Sequence, residues 1–491
     1  MGGRESPRVL LAGAMLVIDA ACGVDERISA PSAAGQAGKA GSGGASAGAG
    51  FGGTSGLRGD ASGGTTLDAA VDVIDADASD ANANGCIDIH VTHSSLPPDP
   101  TGWSQRGPAI GVYSDRDHLW RDSRGIHVAW SATHADGKIE LVVSSYDASG
   151  ASLGHRFFRS GGRKGFGAVG VAPDGTVGIA VALEASDAGI ATYALLVLRA
   201  DDTSKEQTFP IPEWALGGTR SVVGVGWDGE AFAVHGFAAD NTQYVTRIKA
   251  DGSVLLAPTA FGSAYGYQHE IRYVTDPVSG VSVGVSGRGA SVPWVTGHLR
   301  DGTPTPDPAR IQGFELKPQG FKRDAGWAGG VIWPAVRAVA GGAAVAWSHG
   351  DAGATVTTFI QTLGTDLAPT SDVIGLPGEK LTLSDYDYNE WPTLQARPGG
   401  WWLAGSNTGN VNEYLVANGA LARRRLLVTY SKGGRERYAV DQFESAAYND
   451  ELWLGFRDAS NTTGMHEQPY RVVLAKPGCS YRSMYDLEVA P

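Results

Sequence analysis

One pattern of short strands recurs seven times between residues 120 and 490 and constrains the fold more than any other feature. It is clearest in the stretch 222–258, where apolar runs alternate with a polar loop and with Asp-Gly turns at Asp228–Gly229 and Asp251–Gly252. Short runs rich in Val, Ile, Phe and Tyr that are separated by Asp-Gly predict antiparallel hairpins. This stretch therefore predicts a four-stranded meander.

The second run of the meander recurs with a small residue at its third position. The runs are HVAWS, GIAVA, AFAVH, SVGVS, AVAWS, WLAGS and WLGFR, and their third residues are Ala129, Ala180, Ala233, Gly284, Ala346, Ala404 and Gly455. Successive spacings of 51 to 62 residues suit one small sheet per repeat. A strand residue that must be small indicates the close approach of a neighbouring sheet, as where propeller blades stack. The sequence therefore predicts an all-β fold, a seven-bladed β-propeller of four-stranded antiparallel blades over residues 86–491.

Composition and charge limit the partners. The chain has 70 Gly and 24 Pro and is only 19% charged, which favours many short strands and turns over helices. Its formal charge is -13, and 34 Lys and Arg face 42 Asp and Glu after residue 85. A domain with this net negative charge repels nucleic acid and anionic membrane surfaces, so we expect no nucleic-acid partner. We expect a monomer.

The N-terminus predicts export. Arg4 and Arg8 precede ten apolar residues, 9–18, and small residues follow, which is typical of a secretory signal peptide over residues 1–21. Ala20, Ala21 and Cys22 resemble the lipobox of bacterial lipoproteins, and this resemblance implies lipidation of Cys22. Asp19 departs from the lipobox pattern, so lipidation and simple secretion both stay open. Contact with a membrane is expected only through that lipid.

Residues 22–85 predict a disordered tether. From Ser29 to Thr66, 28 of 38 residues are Gly, Ala or Ser, and 67–83 is a tract of Ala and Asp. Such a segment buries too little apolar area to offset the entropy of ordering it. The tether is similar to the spacers of surface lipoproteins from Gram-negative bacteria, which implies a location at the outer membrane or cell surface.

The short motif matches in this sequence do not support a catalytic or cofactor site. The GASAG and GVGWDG matches lack the strand and helix context that a nucleophile elbow or a dinucleotide site needs. We expect no metal site and no cofactor, with one weak alternative: a partial calcium loop whose twelfth position is Val91 instead of Glu. The candidate calcium ligands are Asp80, Asn82, Asn84 and Asp88.

Two cysteines flank the predicted repeats. Cys86 precedes the apolar run IDIHV, and Cys479 follows the last strand-like run, YRVVLA. Because propellers usually close by pairing strands from the two termini, and exported proteins meet an oxidising compartment, we expect a Cys86–Cys479 disulfide that locks the ring.

Four long segments that enter repeats four to seven concentrate aromatic and charged residues: 259–272, 312–333, 374–392 and 429–441. Working residues usually lie on the segments that connect the elements of a rigid scaffold. The predicted ligand contacts are Tyr265, Tyr267, Glu270, Arg272, Trp327, Tyr388, Trp391 and Arg437. Aromatic faces beside polar groups suit sugar rings and protein hot spots alike.

Two functions are compatible with these segments. The first is a non-catalytic binding module, tethered or secreted, for a glycan or protein ligand at the bacterial surface. The alternative is a polysaccharide-acting glycoside hydrolase or lyase, with acid-base candidates His269, Glu270, Asp387 and Glu390. A glycosidase needs two carboxylates at a defined separation, and the sequence does not show which pair meets.

Overall fold

The structure is a computed structural model. It describes residues 85–98, 102, 118–135, 139–159, 166–182, 192–199, 206–213, 219–238, 242–263, 271–286, 293–305, 314–315, 334–350, 356–376, 393–407, 410–429, 440–458 and 470–482. All of them belong to one unit of the chain, Ala69–Pro491. The predicted signal peptide, and the predicted tether apart from Gly85, lie outside these residues. Over the described ranges, no helix is long and apolar enough to cross a bilayer.

The described elements are thirty strands and one short 3-10 helix, η1 (His93–Ser95). The first fifteen strands are β1 (Asp88–Val91), β2 (His118–Arg121), β3 (Ile126–Thr133), β4 (Ile139–Tyr146), β5 (Ser152–Arg159), β6 (Phe166–Val171), β7 (Val177–Ala182), β8 (Tyr193–Leu198), β9 (Glu206–Pro210), β10 (Thr219–Trp227), β11 (Phe232–Ala238), β12 (Thr242–Ile248), β13 (Val254–Ser263), β14 (Arg272–Thr275) and β15 (Ser282–Ser286). The others are β16 (Trp294–His298), β17 (Pro304–Thr305), β18 (Phe314–Glu315), β19 (Ala335–Val339), β20 (Gly342–Gly350), β21 (Val356–Gly364), β22 (Ile374–Leu376), β23 (Thr393–Arg397), β24 (Gly400–Asn407), β25 (Asn410–Ala417), β26 (Ala420–Thr429), β27 (Val440–Tyr448), β28 (Glu451–Asp458), β29 (Tyr470–Leu474) and β30 (Tyr481–Arg482).

These strands form seven antiparallel sheets that follow one another around a ring. In chain order the blades are β2–β5, β6–β9, β10–β13, β14–β17, β19–β22, β23–β26 and β27–β29 with β1. The first strands of successive blades contact each other from β2 through β6, β10, β14, β19, β23 and β27, and β27 returns to β2. The predicted seven-bladed propeller is confirmed, and the 222–258 meander forms most of its third blade.

The N-terminal strand closes the ring. β1 is the outer strand of the seventh blade and pairs antiparallel with β29, from Asp88 opposite Val473 to Val91 opposite Tyr470. Cys86, just before β1, is bonded to Cys479, which lies 393 residues later in the sequence. The predicted disulfide is confirmed, and it joins the two ends of the chain that meet in this blade.

The small residue of each second strand has two structural causes. The five alanines lie in apolar clusters shared with the next blade; Ala129, for example, packs with Val177 and Ile179. The two glycines instead accommodate a ring of their own blade. A Cβ on Gly284 would lie 2.4 Å from Cε1 of Tyr273, and one on Gly455 would lie 2.0 Å from Oη of Tyr470. The stacking explanation is therefore right for the alanines only.

Two short strands depart from the predicted four per blade: β18 continues the outer-strand position of β17, and β30 adds a fifth strand. β18 pairs with β16 in the fourth blade, and β30 pairs in parallel with the outer strand β26 of the sixth. β30 therefore covers part of an edge that would otherwise present unpaired backbone groups.

Candidate functional site

The inner strands of all seven blades enclose a channel along the axis of the ring. Its volume is about 550 Å³, and β2, β6, β10, β14, β19, β23 and β27 each contribute to its lining. This volume is within the range of sites that bind small molecules, roughly 300–1,000 Å³.

Glycines let the inner strands of the second, third and fourth blades approach closely. A Cβ on Gly170 would lie 2.9 Å from Cγ1 of Val225, and one on Gly224 would lie 2.7 Å from Cβ of Tyr273. These separations leave no room for side chains between the strands.

The inner strands of the fourth, fifth and seventh blades contribute charged groups. Arg272 begins β14, Arg337 lies within β19, and Glu444 lies within β27. All three line the channel, and Glu444 is the only carboxylate among the described residues that line it.

The two guanidinium groups are incompletely compensated. Nε of Arg272 is buried and has no hydrogen-bond partner. Arg337 lines the channel and is exposed to solvent there. Burial lowers the pKa of the Arg272 guanidinium group, and the charge of Glu444 raises it in part. The charge of Glu444 also acts on Arg337. The single carboxylate therefore stabilises both cations.

Gln395 and Arg121 of the channel wall form hydrogen bonds within the protein. Nε2 of Gln395 donates to the Ser445 carbonyl at 2.6 Å and to its hydroxyl at 3.0 Å, which ties β23 to β27. At the far end of β2, Arg121 donates to the Gly125 carbonyl at 3.2 Å and lies over the Tyr448 ring at 4.5 Å. This arginine is already engaged.

The strand directions place the four predicted loop segments on one face. Residues 264–271 join β13 to β14, 316–334 join β18 to β19, 377–392 join β22 to β23, and 430–439 join β26 to β27. Each connects an outer part of one blade to the inner strand of the next. Because all inner strands run in the same direction, these connections enter the ring from the same side, hereafter the loop face.

Among the predicted ligand contacts, Arg272 alone lies in the described residues, and it lines the channel where β14 begins at the loop face. The remaining predicted contacts and acid-base candidates lie outside the described residues: Tyr265, Tyr267, His269, Glu270, Trp327, Asp387, Tyr388, Glu390, Trp391 and Arg437. Their roles stay predictions. Cys22 is also outside.

Asp88 is the one calcium candidate that the structure describes. Its carboxylate accepts hydrogen bonds from Arg471 at 2.6 and 3.2 Å and lies 3.1 Å from Nε2 of His90. Burial would raise the pKa of Asp88, but the His90 hydrogen bond and the Arg471 charge lower it. Both carboxylate oxygens of Asp88 thus have protein partners. The other calcium candidates, Asp80, Asn82 and Asn84, lie outside the described residues. The calcium loop therefore stays a prediction. In the described part of the chain, no group of three His, Cys, Asp or Glu side chains is placed to hold a metal ion.

Sequence reasoning missed Arg337 and Glu444, but a signal for them exists. Glu444 pairs directly with Gly455, as His118 pairs with Ala129 and Thr393 with Ala404. The inner-strand residue thus lies eleven positions before the small residue in each of these blades. A charged residue at this position, or two residues later at Arg337, is the sequence signal for a charged channel wall.

Comparisons with known proteins find similarity to solved structures at low identity. No known family and no curated protein matches the sequence. The propeller domain of the Trilobed protease from Pyrococcus furiosus matches with a TM-score of 0.40 and 11% identity, over 73% of this chain and 95% of that one. A protein of unknown function from Dyadobacter fermentans gives 0.35 and 10%, over 79% and 97%. The Malassezia sympodialis allergen Mala s 1 gives 0.38 and 11%, over 80% and 96%.

Proposed function

We propose that this propeller is a non-catalytic binding protein whose ligand, a glycan, occupies the loop-face mouth of the axial channel. The observation that carries the proposal is the position of Arg272. It stands where a loop segment rich in aromatic and polar residues meets a channel of about 550 Å³, and its Nε has no hydrogen-bond partner. The guanidinium group of Arg272, which lines the channel, can donate to a ligand hydroxyl or carboxyl oxygen there.

The channel favours binding over hydrolysis. Glycoside hydrolysis requires two carboxyl groups that flank the scissile bond. The described lining contains one, Glu444, whose charge stabilises Arg272 and Arg337. The described lining thus supplies one of the two carboxyl groups that hydrolysis requires.

A glycan array with the mature protein tests the proposal. After a ligand is found, Trp391→Ala should weaken binding roughly thirtyfold or more, the cost of removing a central aromatic contact. Tyr448→Ala is the control, because Tyr448 ends β27 on the opposite face. Equal affinities for the wild type and Trp391→Ala, with Glu270→Gln also without effect, exclude the loop face.

The hydrolase or lyase alternative has its own readout. A reducing-sugar and unsaturated-product assay across a panel of polysaccharides should show no turnover. Turnover that Glu270→Gln abolishes while binding survives would establish the enzyme instead.

We also propose that the ring is exported and either anchored through Cys22 or secreted. The signal-like N-terminus and the disulfide between Cys86 and Cys479 support export, since disulfides persist in oxidising compartments. Mass spectrometry of the mature protein should find diacylglycerol on Cys22. An unmodified N-terminus downstream of Cys22 excludes the lipid and leaves export intact.

A further inference from the structure

Two arginines of the channel differ from other arginines in the described residues. Arg121 lies over Tyr448, and Arg471 is paired with Asp88. Arg272 and Arg337, in contrast, both line the channel, and Nε of Arg272 is buried there without a hydrogen-bond partner. Burying a guanidinium nitrogen without a partner costs free energy, so this arrangement needs an explanation.

Counted over the described residues that line the channel, Arg272, Arg337 and Glu444 together carry one net positive charge. Arginine stays protonated in proteins, so both guanidinium groups carry their charge. Glu444 is the one carboxylate of the described lining, and its charge acts on both of them. One further negative charge would complete the balance.

The chemistry of the pair selects the ligand group. Guanidinium groups bind planar carboxylates through parallel hydrogen bonds. A phosphate monoester carries more than one negative charge at neutral pH, and the surplus would face Glu444 in a protein of formal charge -13. A channel of about 550 Å³ holds one sugar residue with water.

We propose that the axial channel binds the carboxylate of an acidic sugar residue between Arg272 and Arg337. This proposal rests on the glycan-binding function, and it names the class of glycan: one that presents a uronic acid to the channel. Glu444 sets the affinity by offsetting one of the two cationic charges.

Calorimetric titration of the mature protein in a buffer without carboxylates tests the proposal. D-glucuronate should bind, whereas D-glucose, which has the same ring without the carboxylate, should bind at least tenfold more weakly. Glucose 6-phosphate should also bind more weakly than glucuronate. Binding of glucose as tight as that of glucuronate would contradict the proposal, and tighter binding of the phosphate would replace the carboxylate with a phosphate.

Three variants assign the binding to the pair. Arg272→Gln and Arg337→Gln should each weaken glucuronate binding at least tenfold. Glu444→Gln should strengthen it several-fold, because it removes the competing negative charge. Arg397→Gln is the matched control: it makes the same change of charge at an arginine that lies over Trp402 at 5.0 Å, outside the channel lining. Equal effects of the control and the channel variants would overturn the assignment.

Stability separates a binding role from a structural one. Because Nε of Arg272 is buried without a hydrogen-bond partner and Arg337 is exposed, Arg272→Gln and Arg337→Gln should keep or raise the melting temperature of the free protein while they lose glucuronate. If both variants have a lower melting temperature and an unchanged affinity for glucuronate, the arginines stabilise the fold and do not bind the ligand.

The outcomes also separate this inference from the proposed function. If neutral oligosaccharides bind through Trp391 and both arginine variants keep the wild-type affinity for them, the carboxylate site is wrong and the glycan-binding function remains. If glucuronate binding requires both arginines but no oligosaccharide binds, the glycan-binding function is wrong and the carboxylate site remains.

Discussion

At the scale of single residues, a buried histidine pair links the third and fourth blades. Nε2 of His235 and Nε2 of His298 are 2.9 Å apart, and Nδ1 of His298 lies 2.7 Å from the Leu299 carbonyl. Both side chains are buried, and the His235 ring stacks on Tyr273 at 4.6 Å between centroids. Burial lowers the pKa of His298 to about 4 and that of His235 well below its usual value. The fold therefore holds both rings neutral.

This pair predicts a loss of stability in mild acid. In the unfolded chain a histidine has a pKa near 6.5, so between about pH 6.5 and 4 the unfolded state takes up a proton that folded His298 does not. The contribution of His298 to the free energy of unfolding is thus present above about pH 6.5 and falls by about 3 kcal/mol as the pH drops to about 4. Chemical denaturation near neutral pH and near pH 4.5 should show a smaller loss for His298→Gln than for the wild type. Parallel losses in the two proteins would contradict this assignment.

Gly455 predicts a coupled pair of substitutions. A Cβ there would lie 2.0 Å from Oη and 2.7 Å from Cζ of the fully buried Tyr470. Gly455→Ala should therefore cost about 1–3 kcal/mol of stability through overpacking. Tyr470→Phe removes the hydroxyl, so the double variant should lose less than the sum of the single losses. Additive losses in a double-mutant cycle would show that the ring is not the obstacle.

At the scale of elements, the seventh blade depends on both ends of the chain. β1 pairs with β29 along Asp88–Val91, and Arg471 of β29 bonds to Asp88 of β1. Because β1 reaches this blade from the other end of the sequence, loss of its pairing opens the ring. The disulfide limits that opening.

Replacing Cys86 and Cys479 together by Ser should lower the melting temperature. Loop-closure entropy over 393 residues gives about 6 kcal/mol as an upper value for the stabilisation. Binding should survive, because neither cysteine lines the channel. As a control, the reduced wild type should have the same melting temperature as the double variant. If the melting temperature of the double variant is unchanged from that of the oxidised wild type, β1 pairing alone closes the ring.

Sequence patterns predicted the elements that repeat, and failed where the ring departs from its own repeat. Ala129 and its equivalents mark the second strands because each must fit against the next blade, a local constraint that recurs in the sequence. β30 departs from the repeat, since Tyr481 pairs in parallel with Val428 of another blade. The repeat in the sequence does not predict that contact. Arg337 and Glu444 were missed for a related reason: they face each other only after seven blades close around one axis.

At the scale of the whole molecule, the sign of the charge in the channel opposes that of the protein. The chain has a formal charge of -13, while Arg272 and Arg337 outnumber the one carboxylate of the described channel lining. An acidic exterior repels polyanions, whereas the channel attracts a single anionic group, so the ring should select glycans with sparse negative charge. Raising the salt concentration should weaken binding of acidic sugars more than binding of neutral ones.

Hydrogen–deuterium exchange of the mature protein with and without a bound acidic oligosaccharide tests the central claim most directly: that the ligand enters the channel from the loop face. We predict slower exchange in peptides that contain the loop-face ends of β14, β23 and β27, and no change in the turns of the opposite face, such as 228–231 and 276–281. Protection confined to those opposite turns, or to the outer strands of the blades, would contradict the account.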